Sequence, residues 1–567
     1  MSWLLQGRAS KADWNSRNPP ATAPTAWSVE RLVLVVVALL VIFGNLPFWH
    51  ATLAGRSFAE ASTWKFTVAA ALAIAWLHVV PLLLLGTRRT VRPLLVLLVV
   101  VTAVAQHMMR QYGVVLDPPM LRNTLRTDVA EASELISPWL LANVAVALVV
   151  AALIWRVPLR ERPWRQALGA RAMALLGVSA VGVAALLLGF QDFSSTMRNQ
   201  KELRYRISPG NVVYSTARVL VEDLREATRT PEPLAPARLA DPAPDQKPRL
   251  LVLIVGETAR AMNFSLNGYE RETNPELAKR PVINFPQTEA CGTSTEVSLP
   301  CMFSSLGRAG YSKARARASE SLVQLLARVG MRVVWLDNQS GCKRVCTGVE
   351  YRRFSDERIV SPLCEGSRCL DGLLVEELGK LIQVAEGAPP RDTVVVLHQL
   401  GNHGPAYAKR YPREFARFQP ECTKVELRDC SRDEIVNAYD NAILYTDHLI
   451  ASVIDMLAAQ EARYDVGMIY VSDHGESLGE KGLYLHGMPY AIAPREQLAV
   501  PMIWWLGGSG VRGWQGLDEA CLRRRASQPA SHDHLFHSML GLLRVETTRY
   551  VADRDLVSPC RQERSAL

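Results

Sequence analysis

Two carboxylates and an imidazole stand directly after two hydrophobic runs of the sequence. Glu257 follows the run 250–255, and Asp473 and His474 follow the run 467–471. Oxygen and nitrogen ligands of this kind suit Zn²⁺ and leave a coordination position for a reacting group. An isolated Asp-His pair is more often structural, but its place at the end of a hydrophobic run favours a metal site.

A set of hydroxyl groups could supply a nucleophile for such a site. Thr293, Ser294 and Thr295 lie in the segment Cys291-Gly-Thr-Ser-Thr-Glu-Val-Ser298, where a loop is expected to enter a helix. A helix N-terminus favours phosphate, and a metal ion stabilises an alkoxide. The alternative interpretation is a simple helix cap. The spacing alone does not choose Thr295 from its neighbours.

The hydrophobic runs that carry these groups alternate with helical stretches. This alternation predicts an α/β domain with a largely parallel sheet, in which ligands bind at the carboxyl ends of the strands. Polar residues follow the runs at once, including Asp337, His398 and His403. The predicted strands are 250–255, 331–336, 393–397, 467–471 and 500–505.

The first third of the chain has a different character. Five runs free of Asp, Glu, Lys and Arg are each close to the roughly 20 residues that cross a bilayer as a helix. A cleaved signal peptide does not fit, because the first run begins late and others follow. The absence of charge within the runs argues against an ion-coupled transporter. The five predicted spans are 32–49, 66–86, 93–109, 138–155 and 172–190.

The charges between the spans predict their direction. The chain has 64 Lys and Arg against 55 Asp and Glu, a net charge of +9. Bases are concentrated before the first span, between the second and third, and between the fourth and fifth, which predicts that these segments are cytoplasmic. An odd number of spans then places everything after Phe190 outside the cytoplasm. The excess charge is thus a topology signal, and no nucleic-acid partner is expected.

The cysteines give an independent indication of compartment. All ten lie beyond residue 290, several in close pairs. In an exported domain such pairs predict disulfides, whereas their irregular spacing does not fit zinc fingers. The partners of Cys521 and Cys560 stay unassigned.

The sequence predicts three segments: a five-span membrane domain over 1–193, a connecting segment over 194–249 and a catalytic domain over 250–567. Residues 194–229 suit an amphipathic helix on the membrane surface, although an ordinary packed helix fits nearly as well. Six prolines between 231 and 248 predict a stiff extended linker.

Several motifs together resemble a known family, the membrane phosphoethanolamine transferases that modify lipid A, which include the mobile colistin-resistance enzymes. This family belongs to the alkaline phosphatase superfamily, and the resemblance runs from the first span to the carboxyl end. The motifs are Leu253-Ile-Val-Gly-Glu-Thr-Ala-Arg260, Cys291-Gly-Thr-Ser-Thr295, Asn338-Gln-Ser-Gly-Cys-Lys343, His398-Gln-Leu-Gly-Asn-His-Gly-Pro405 and Ser472-Asp-His-Gly-Glu-Ser-Leu-Gly479.

The resemblance implies roles for individual residues. Thr295 would be the nucleophile, and the catalytic zinc would be bound by Glu257, Thr295, Asp473 and His474. His403 and His486, the latter in Tyr484-Leu-His-Gly487, would act at the phosphate or bind a second zinc, with support from Glu476.

Substrate contacts are implied at two further places. Ser340 and Lys343 would contact the substrate, although a surface lysine can simply be solvated. Asn123, Thr127 and Glu131 are four residues apart, hence on one helical face, and match the family's lipid-headgroup positions. A helix surface that is merely polar is the alternative. Leu400 stands where the family often has Ser or Gly, next to the expected substrate face.

The expected function is transfer of phosphoethanolamine from phosphatidylethanolamine to a phosphate of lipid A, by a monomer in the bacterial inner membrane whose catalytic domain is periplasmic. Alternatives are transfer to a core sugar or periplasmic glucan, transfer of glycerol phosphate, hydrolysis of phosphate or sulfate esters, and an inactive lipid sensor. The residues after Thr295 do not fit the Cys/Ser-x-Pro-x-Arg pattern of sulfatases.

Overall fold

The computed structural model describes most of the chain beyond its first 25 residues. The described residues are 26–127, 129–189, 196–197, 200–227, 232–241, 246–354, 359, 361–365, 368–387, 389–424, 426–507, 514 and 516–561. They form two compact units, one of residues 1–106 and 142–210 and the other of residues 107–141 and 211–567.

The first unit is helical and apolar. Among the described residues, four helices are long and apolar enough to cross a membrane, and a bent pair of helices makes a fifth candidate span. The four helices are Ala61–Leu85, Val91–Tyr112, Pro138–Arg156 and Trp164–Leu188, and the bent pair is Val29–Phe43 with Leu46–Leu53. The predicted α-helical membrane domain is confirmed, with four candidate spans among the described residues, or five if the bent pair counts as the first span.

The break in the first span has a local cause. The two helices meet at an angle of 50° around Gly44 and Asn45, and Pro47 stands in the first turn of the second helix. Buried Asn45 donates from Nδ2 to Leu40 O and to Ser208 O, each at 2.8 Å. The amide side chain thus satisfies the Leu40 carbonyl at the break and ties the break to the segment before Pro209.

The second unit is built on an eight-stranded sheet in the order β13-β3-β12-β9-β2-β8-β4-β5, with the strands numbered along the chain. Of these eight, only β12 runs antiparallel to its neighbours. The described strands are β1 Ala237–Leu239, β2 Arg249–Gly256, β3 Ile283–Glu289, β4 Arg332–Asp337, β5 Glu350–Arg353, β6 Cys364–Glu365, β7 Arg368–Cys369, β8 Thr393–His398, β9 Asp465–Ser472, β10 Ser477–Leu478, β11 Tyr484–Leu485, β12 Ala499–Leu506, β13 Ala530–Ser531 and β14 Val545–Thr547.

Helices cover both faces of this sheet, which explains why its central strands are hydrophobic throughout. Leu251 and Leu253 belong to one apolar core, and Leu250 and Val252 belong to the other, as the alternation of a strand requires. The described α-helices of this unit are Pro118–Arg126, Val129–Ser133, Gly210–Ala227, Thr295–Met302, Gly307–Gly310, Lys313–Ala318, Leu322–Arg328, Gly372–Glu386, Arg432–Ala458, Arg495–Leu498, Glu519–Ala526 and Asp533–Leu542.

The predicted α/β domain with a largely parallel sheet is confirmed, and all five predicted runs are strands. The sequence missed β3, whose polar Asn284, Gln287 and Thr288 weaken the hydrophobic signal. This strand joins the sheet through antiparallel pairing with β12.

All ten cysteines form disulfides, as the sequence predicted. The pairs are Cys291–Cys301, Cys342–Cys346, Cys364–Cys369, Cys422–Cys430 and Cys521–Cys560. The last pair resolves the one assignment that the sequence left open.

The connecting segment differs from its prediction. The amphipathic helix begins at Gly210 rather than near 194, immediately after Pro209, and ends at Ala227. Its apolar residues Val213, Leu220 and Leu224 are exposed, while Val219 is buried. The proline-rich stretch is not a free-standing linker, because Leu234 is buried in the apolar core of this unit and β1 pairs with β14. Pro231, Pro242 and Pro244 lie outside the described residues.

Candidate metal centre and active site

The neighbouring strands β2 and β9 bring the predicted metal ligands together. The two strands are parallel and in register up to Gly256 and Ser472, so Glu257 and Asp473 leave the sheet side by side. Glu257, Asp473 and His474 are all fully buried. Their ligand atoms lie within 4.8 Å of one another, as a metal site requires.

The spacing of these atoms suits a metal ion with tetrahedral coordination. His474 Nε2 lies 3.3 Å from Glu257 Oε1, 3.4 Å from Asp473 Oδ2 and 3.4 Å from Thr295 Oγ1. Four ligands with zinc bonds of 2.0–2.1 Å are separated by about 3.3 Å in a tetrahedron. Glu257 Oε1 and Asp473 Oδ2 are buried without a hydrogen-bond partner. Unpaired buried carboxylate oxygens are costly, so the donor set fits a divalent cation such as Zn²⁺.

Contacts outside the ligand set orient the imidazole and the glutamate. His474 Nδ1 donates to Gly475 O at 2.9 Å, which leaves the lone pair of Nε2 toward the carboxylates when the ring is neutral. Gln339 Nε2 donates to Glu257 Oε2 at 2.9 Å. Sequence reasoning did not single out Gln339, although it lies in the quoted motif beside Ser340.

The three candidate hydroxyls have different environments. Thr295 is the first residue of its helix, and its Oγ1 donates to Glu257 Oε2 at 3.0 Å. Thr293 Oγ1 instead donates to Met488 O at 2.6 Å, which fixes the loop. Ser294 is the N-cap residue and makes no side-chain capping bond. Thr295 is therefore the hydroxyl that the geometry brings to the predicted metal ligands.

The close packing of charged groups shifts their pKa values strongly. Burial and the charge of Glu257 raise the pKa of Asp473 to about 6. Burial opposes ionisation of Glu257, but its close contact with His474 and the charge of that ring hold its pKa well below the usual range. Burial also opposes protonation of His474, yet the charge of Asp473 and the contact with Glu257 raise its pKa to about 9. The two carboxylates thus place strong negative potential where a cation would bind.

A second group of predicted residues lies beside this one. The rings of His474 and His486 have centroids 4.4 Å apart, and those of His486 and His403 lie 5.2 Å apart. His486 Nδ1 is 3.2 Å from Glu476 Oε2, and burial raises the pKa of Glu476 to about 8. His403 Nε2 is 2.6 Å from Glu131 Oε1; burial opposes protonation of His403, but Glu131 raises its pKa to about 10.

One buried histidine that the sequence did not identify connects the nucleophile loop to β9. His532 Nε2 donates to Ser472 O at 2.9 Å, and its Nδ1 accepts from the Cys291 N–H at 3.1 Å. Ser298 Oγ donates to Asp473 O and lies 3.3 Å from the same Nδ1. His532 and Ser298 therefore hold the loop before Thr295 against the strand that carries two of the ligands. A histidine far along the chain with no motif around it gives no sequence signal for this role.

The predicted substrate residues Ser340 and Lys343 contact each other. Lys343 Nζ donates to Ser340 Oγ at 2.6 Å and to Ser340 O at 2.9 Å. Both side chains are partly exposed, and the Cys342–Cys346 disulfide closes their loop. Leu400, where the sequence departs from the family pattern, is also partly exposed.

The prediction that Asn123, Thr127 and Glu131 share one helical face is wrong. The helix Pro118–Arg126 ends at Thr127, which has φ −59° and ψ 130°, and a separate helix Val129–Ser133 carries Glu131. Thr127 Oγ1 donates to Asn123 O at 3.0 Å, a local bond that competes with helix continuation. Asn123 and Thr127 thus remain in contact, while Glu131 reaches His403.

Two family models match the chain and define its class of protein. The Sulfatase family model matches residues 249–545, which cover the eight-stranded sheet and the site, so this unit is an alkaline-phosphatase-like domain. The model of phosphoethanolamine transferase EptA/EptB matches residues 74–224. The chain belongs to the EptA/EptB family of phosphoethanolamine transferases, and the resemblance found in its motifs is confirmed. It is a membrane-anchored enzyme of the transferase class.

Individual relatives agree with this assignment. Phosphoethanolamine transferase EptA of Escherichia coli (strain K12) is 39% identical over 83% of this chain and 86% of its own length. Phosphatidylethanolamine transferase Mcr-1 of Escherichia coli is 38% identical over 84% of this chain and 90% of its own length. The integral membrane lipooligosaccharide phosphoethanolamine transferase A of Neisseria meningitidis superposes with a TM-score of 0.86 at 32% identity, covering 93% of this chain and 99% of that structure.

Proposed function

We propose that this enzyme transfers phosphoethanolamine from phosphatidylethanolamine to a phosphate of lipid A, through a covalent intermediate on Thr295 and with Zn²⁺ as cofactor. The observation that carries the proposal is the position of Thr295 Oγ1, 3.0 Å from Glu257 Oε2 and 3.4 Å from His474 Nε2 at the start of a buried helix. The names of the relatives support donor and acceptor: one is a phosphatidylethanolamine transferase, and another acts on lipooligosaccharide.

In the first step, Thr295 Oγ attacks the phosphorus of the donor. The bond from Oγ to phosphorus forms as the bond from phosphorus to the glycerol oxygen breaks, and the threonine proton leaves with diacylglycerol. Glu257, Asp473 and His474 would hold Zn²⁺, whose charge favours the alkoxide form of Thr295. Glu257 Oε2 already accepts a hydrogen bond from this hydroxyl and so directs it.

In the second step, an oxygen of the acceptor phosphate attacks the phosphorus held on Thr295. The bond from Oγ to phosphorus breaks, and the proton of the acceptor returns to the threonine. His403 and His486 would handle these protons. The ring of His486 neighbours those of both His403 and His474, which supports this role. Glu476 supports His486 through its contact with Nδ1.

Five further residues are proposed to contact the substrates. Lys343 and Ser340 would offset charge on the transferred phosphate. Asn123, Thr127 and Glu131 would contact the lipid headgroup, with the carboxylate of Glu131 as the partner of choice for an ammonium group.

The proposed location is the bacterial inner membrane, with the catalytic unit in the periplasm. The arginine-rich loops between the candidate spans predict this direction, and ten paired cysteines beyond residue 290 are typical of an oxidising compartment. A bilayer anchor concentrates an enzyme whose two substrates are both lipids.

Mass spectrometry of lipid A from cells with and without the protein tests the proposed acceptor. We expect a gain of one phosphoethanolamine group, and no gain in cells that contain the same amount of a Thr295→Ala variant. A phosphoethanolamine group found on a core sugar or a periplasmic glucan would show that the acceptor is wrong. Unchanged lipid A, core sugar and glucan in cells with the wild-type protein would overturn the proposed function.

A further inference from the structure

Two acidic residues of the segment between two candidate spans lie close to the predicted proton-handling residue His403. Glu131 Oε1 is 2.6 Å from His403 Nε2. Glu134, three residues further along the chain, binds Arg410. All these residues belong to the same compact unit.

The contact between Glu134 and Arg410 is a buried, two-pronged ion pair. Arg410 Nη1 donates to Glu134 Oε1 at 3.1 Å, and its Nη2 donates to Glu134 Oε2. The two side chains are only 1–2% exposed. Fork-shaped arginine–carboxylate pairs are geometrically specific, so the guanidinium has little freedom to turn.

The remaining nitrogen of Arg410 reaches the histidine backbone. Arg410 Nε donates to His403 O at 2.7 Å, while His403 Nδ1 donates to Gly404 O at 2.7 Å. Glu131 thus contacts the imidazole of His403, and the pair of Glu134 with Arg410 fixes the carbonyl of the same residue. Both acidic residues come from one short stretch of the chain.

The loop before His403 is held by residues other than Arg410. The contribution of Arg410 to the position of His403 is therefore made at the carbonyl. Asp371 accepts the N–H groups of Leu400 and Gly401 at 2.9 and 2.8 Å. The Asn402 N–H donates to Glu257 O at 3.1 Å. The His403 N–H also donates to Leu400 O at 3.3 Å, so the backbone is anchored up to the amide of His403. The His403 carbonyl is the point that depends on Arg410.

The charges around Glu134 make the position of Arg410, and with it the His403 carbonyl, strongly dependent on this carboxylate. Glu134 also accepts from Arg368 Nη1 at 2.9 Å, so one buried carboxylate faces two guanidinium groups. Removing the charge of Glu134 would leave Arg410 buried beside Arg368 without its partner, and such a charge must move or recruit water. A shift of Arg410 would release the His403 carbonyl.

We propose that Glu134 and Arg410 are positioning residues that hold His403 in its place for proton transfer, which adds two residues to the machinery of this enzyme. This inference rests on the proposed role of His403. It links a short acidic segment next to a candidate span to the placement of a side chain beside the metal centre.

A double-mutant cycle on the purified full-length protein tests the inference, with a fluorescent phosphatidylethanolamine as donor and lipid A as acceptor. Glu134→Gln is expected to lower kcat about 10- to 100-fold with little change in the KM of the donor. Glu134→Asp, which keeps the carboxylate, should restore part of the rate. In a His403→Ala background, Glu134→Gln should cause no more than about a twofold further loss, because there is no side chain left to position.

Arg410→Lys provides a second variant, because lysine keeps the charge opposite Glu134 but has no Nε donor for His403 O. Its kcat should fall as that of Glu134→Gln does. The matched control is Asp392→Asn, which breaks the pair of Arg249 and Asp392 at the amino ends of the strands. Any loss of kcat from Asp392→Asn should be independent of His403, so the double variant with His403→Ala should lose kcat by the product of the two single losses.

Each outcome decides a different point. If the double variant loses kcat by the product of the two single losses, from Glu134→Gln and His403→Ala, the positioning role is overturned and the role of His403 stays intact. A wild-type kcat in Arg410→Lys would have the same meaning. A His403→Ala variant with normal kcat would overturn both the positioning role and the proposed part of His403. Transfer through Thr295 would still be measurable in that variant, so the main proposal would stand.

Discussion

Thr295→Ala is expected to lower the rate of phosphoethanolamine transfer by about 10⁴-fold or more, because loss of a nucleophile removes the covalent route altogether. The fold should survive, since alanine removes a hydroxyl whose hydrogen-bond partners among the described residues are the site residues Glu257 and His474. The measurement is transfer from a fluorescent phosphatidylethanolamine to lipid A by purified full-length protein, with a thermal melt to confirm folding.

Thr293→Ser is the matched control for this variant. Thr293 lies two residues earlier in the same loop, and its hydroxyl, which serine keeps, donates to Met488 O. Its activity should stay within about threefold of the wild type, as expected for a conservative change away from the reacting atoms. A Thr295→Ala enzyme that transfers at a rate near that of Thr293→Ser would show that the nucleophile lies elsewhere.

Removal of divalent metal should have the second largest effect. Treatment with a chelator is expected to lower transfer about 10³-fold or more, since a metal ion contributes several kcal/mol to stabilising charge in such reactions. Zn²⁺ added back should restore the rate. The melting temperature should also fall on chelation, because a bound ion at about 1,000 times its Kd stabilises the fold by roughly 4 kcal/mol.

Asp473→Asn tests whether the ion binds where the structure indicates. The change removes one carboxylate from the cluster and leaves the side chain nearly the same size, so zinc binding measured by metal analysis should be lost. Asp455→Asn, which affects an exposed pair with Arg280, should bind zinc as the wild type does. Full transfer after rigorous chelation, or unchanged zinc content in Asp473→Asn, would contradict the metal site.

The general plan of the fold could be predicted from the sequence because the pattern of apolar residues along the chain differs between buried strands, membrane spans and exposed segments. Central strands buried on both faces must be apolar throughout, and β2 and β9 therefore stand out, with Glu257 and Asp473 at their ends. Membrane helices are recognisable for the same reason, since the bilayer tolerates few charges. Strand β3 has no such signal, because polar residues interrupt it.

The placement of supporting residues could not be predicted, because their partners are distant in the chain. Gln339 is 82 positions from Glu257, and Arg410 is 276 positions from Glu134. Hydrogen bonds of this kind form only when the tertiary structure brings distant residues together. The periodicity of apolar residues along the sequence does not indicate which distant residues meet. The break at Thr127 is a different case: the four-residue spacing predicts one helical face, but the threonine hydroxyl bonds locally to Asn123 O and the helix ends there.

Peptide mapping of the enzyme halted after its first step is the most direct test of the central claim. The full-length protein is incubated with phosphatidylethanolamine in the absence of lipid A, quenched with acid and digested for mass spectrometry. We predict that the peptide containing Thr295 carries one phosphoethanolamine group, and that adding lipid A before the quench removes it. A phosphoethanolamine group on another residue, or an unmodified Thr295 in an enzyme that turns over normally, would contradict the account.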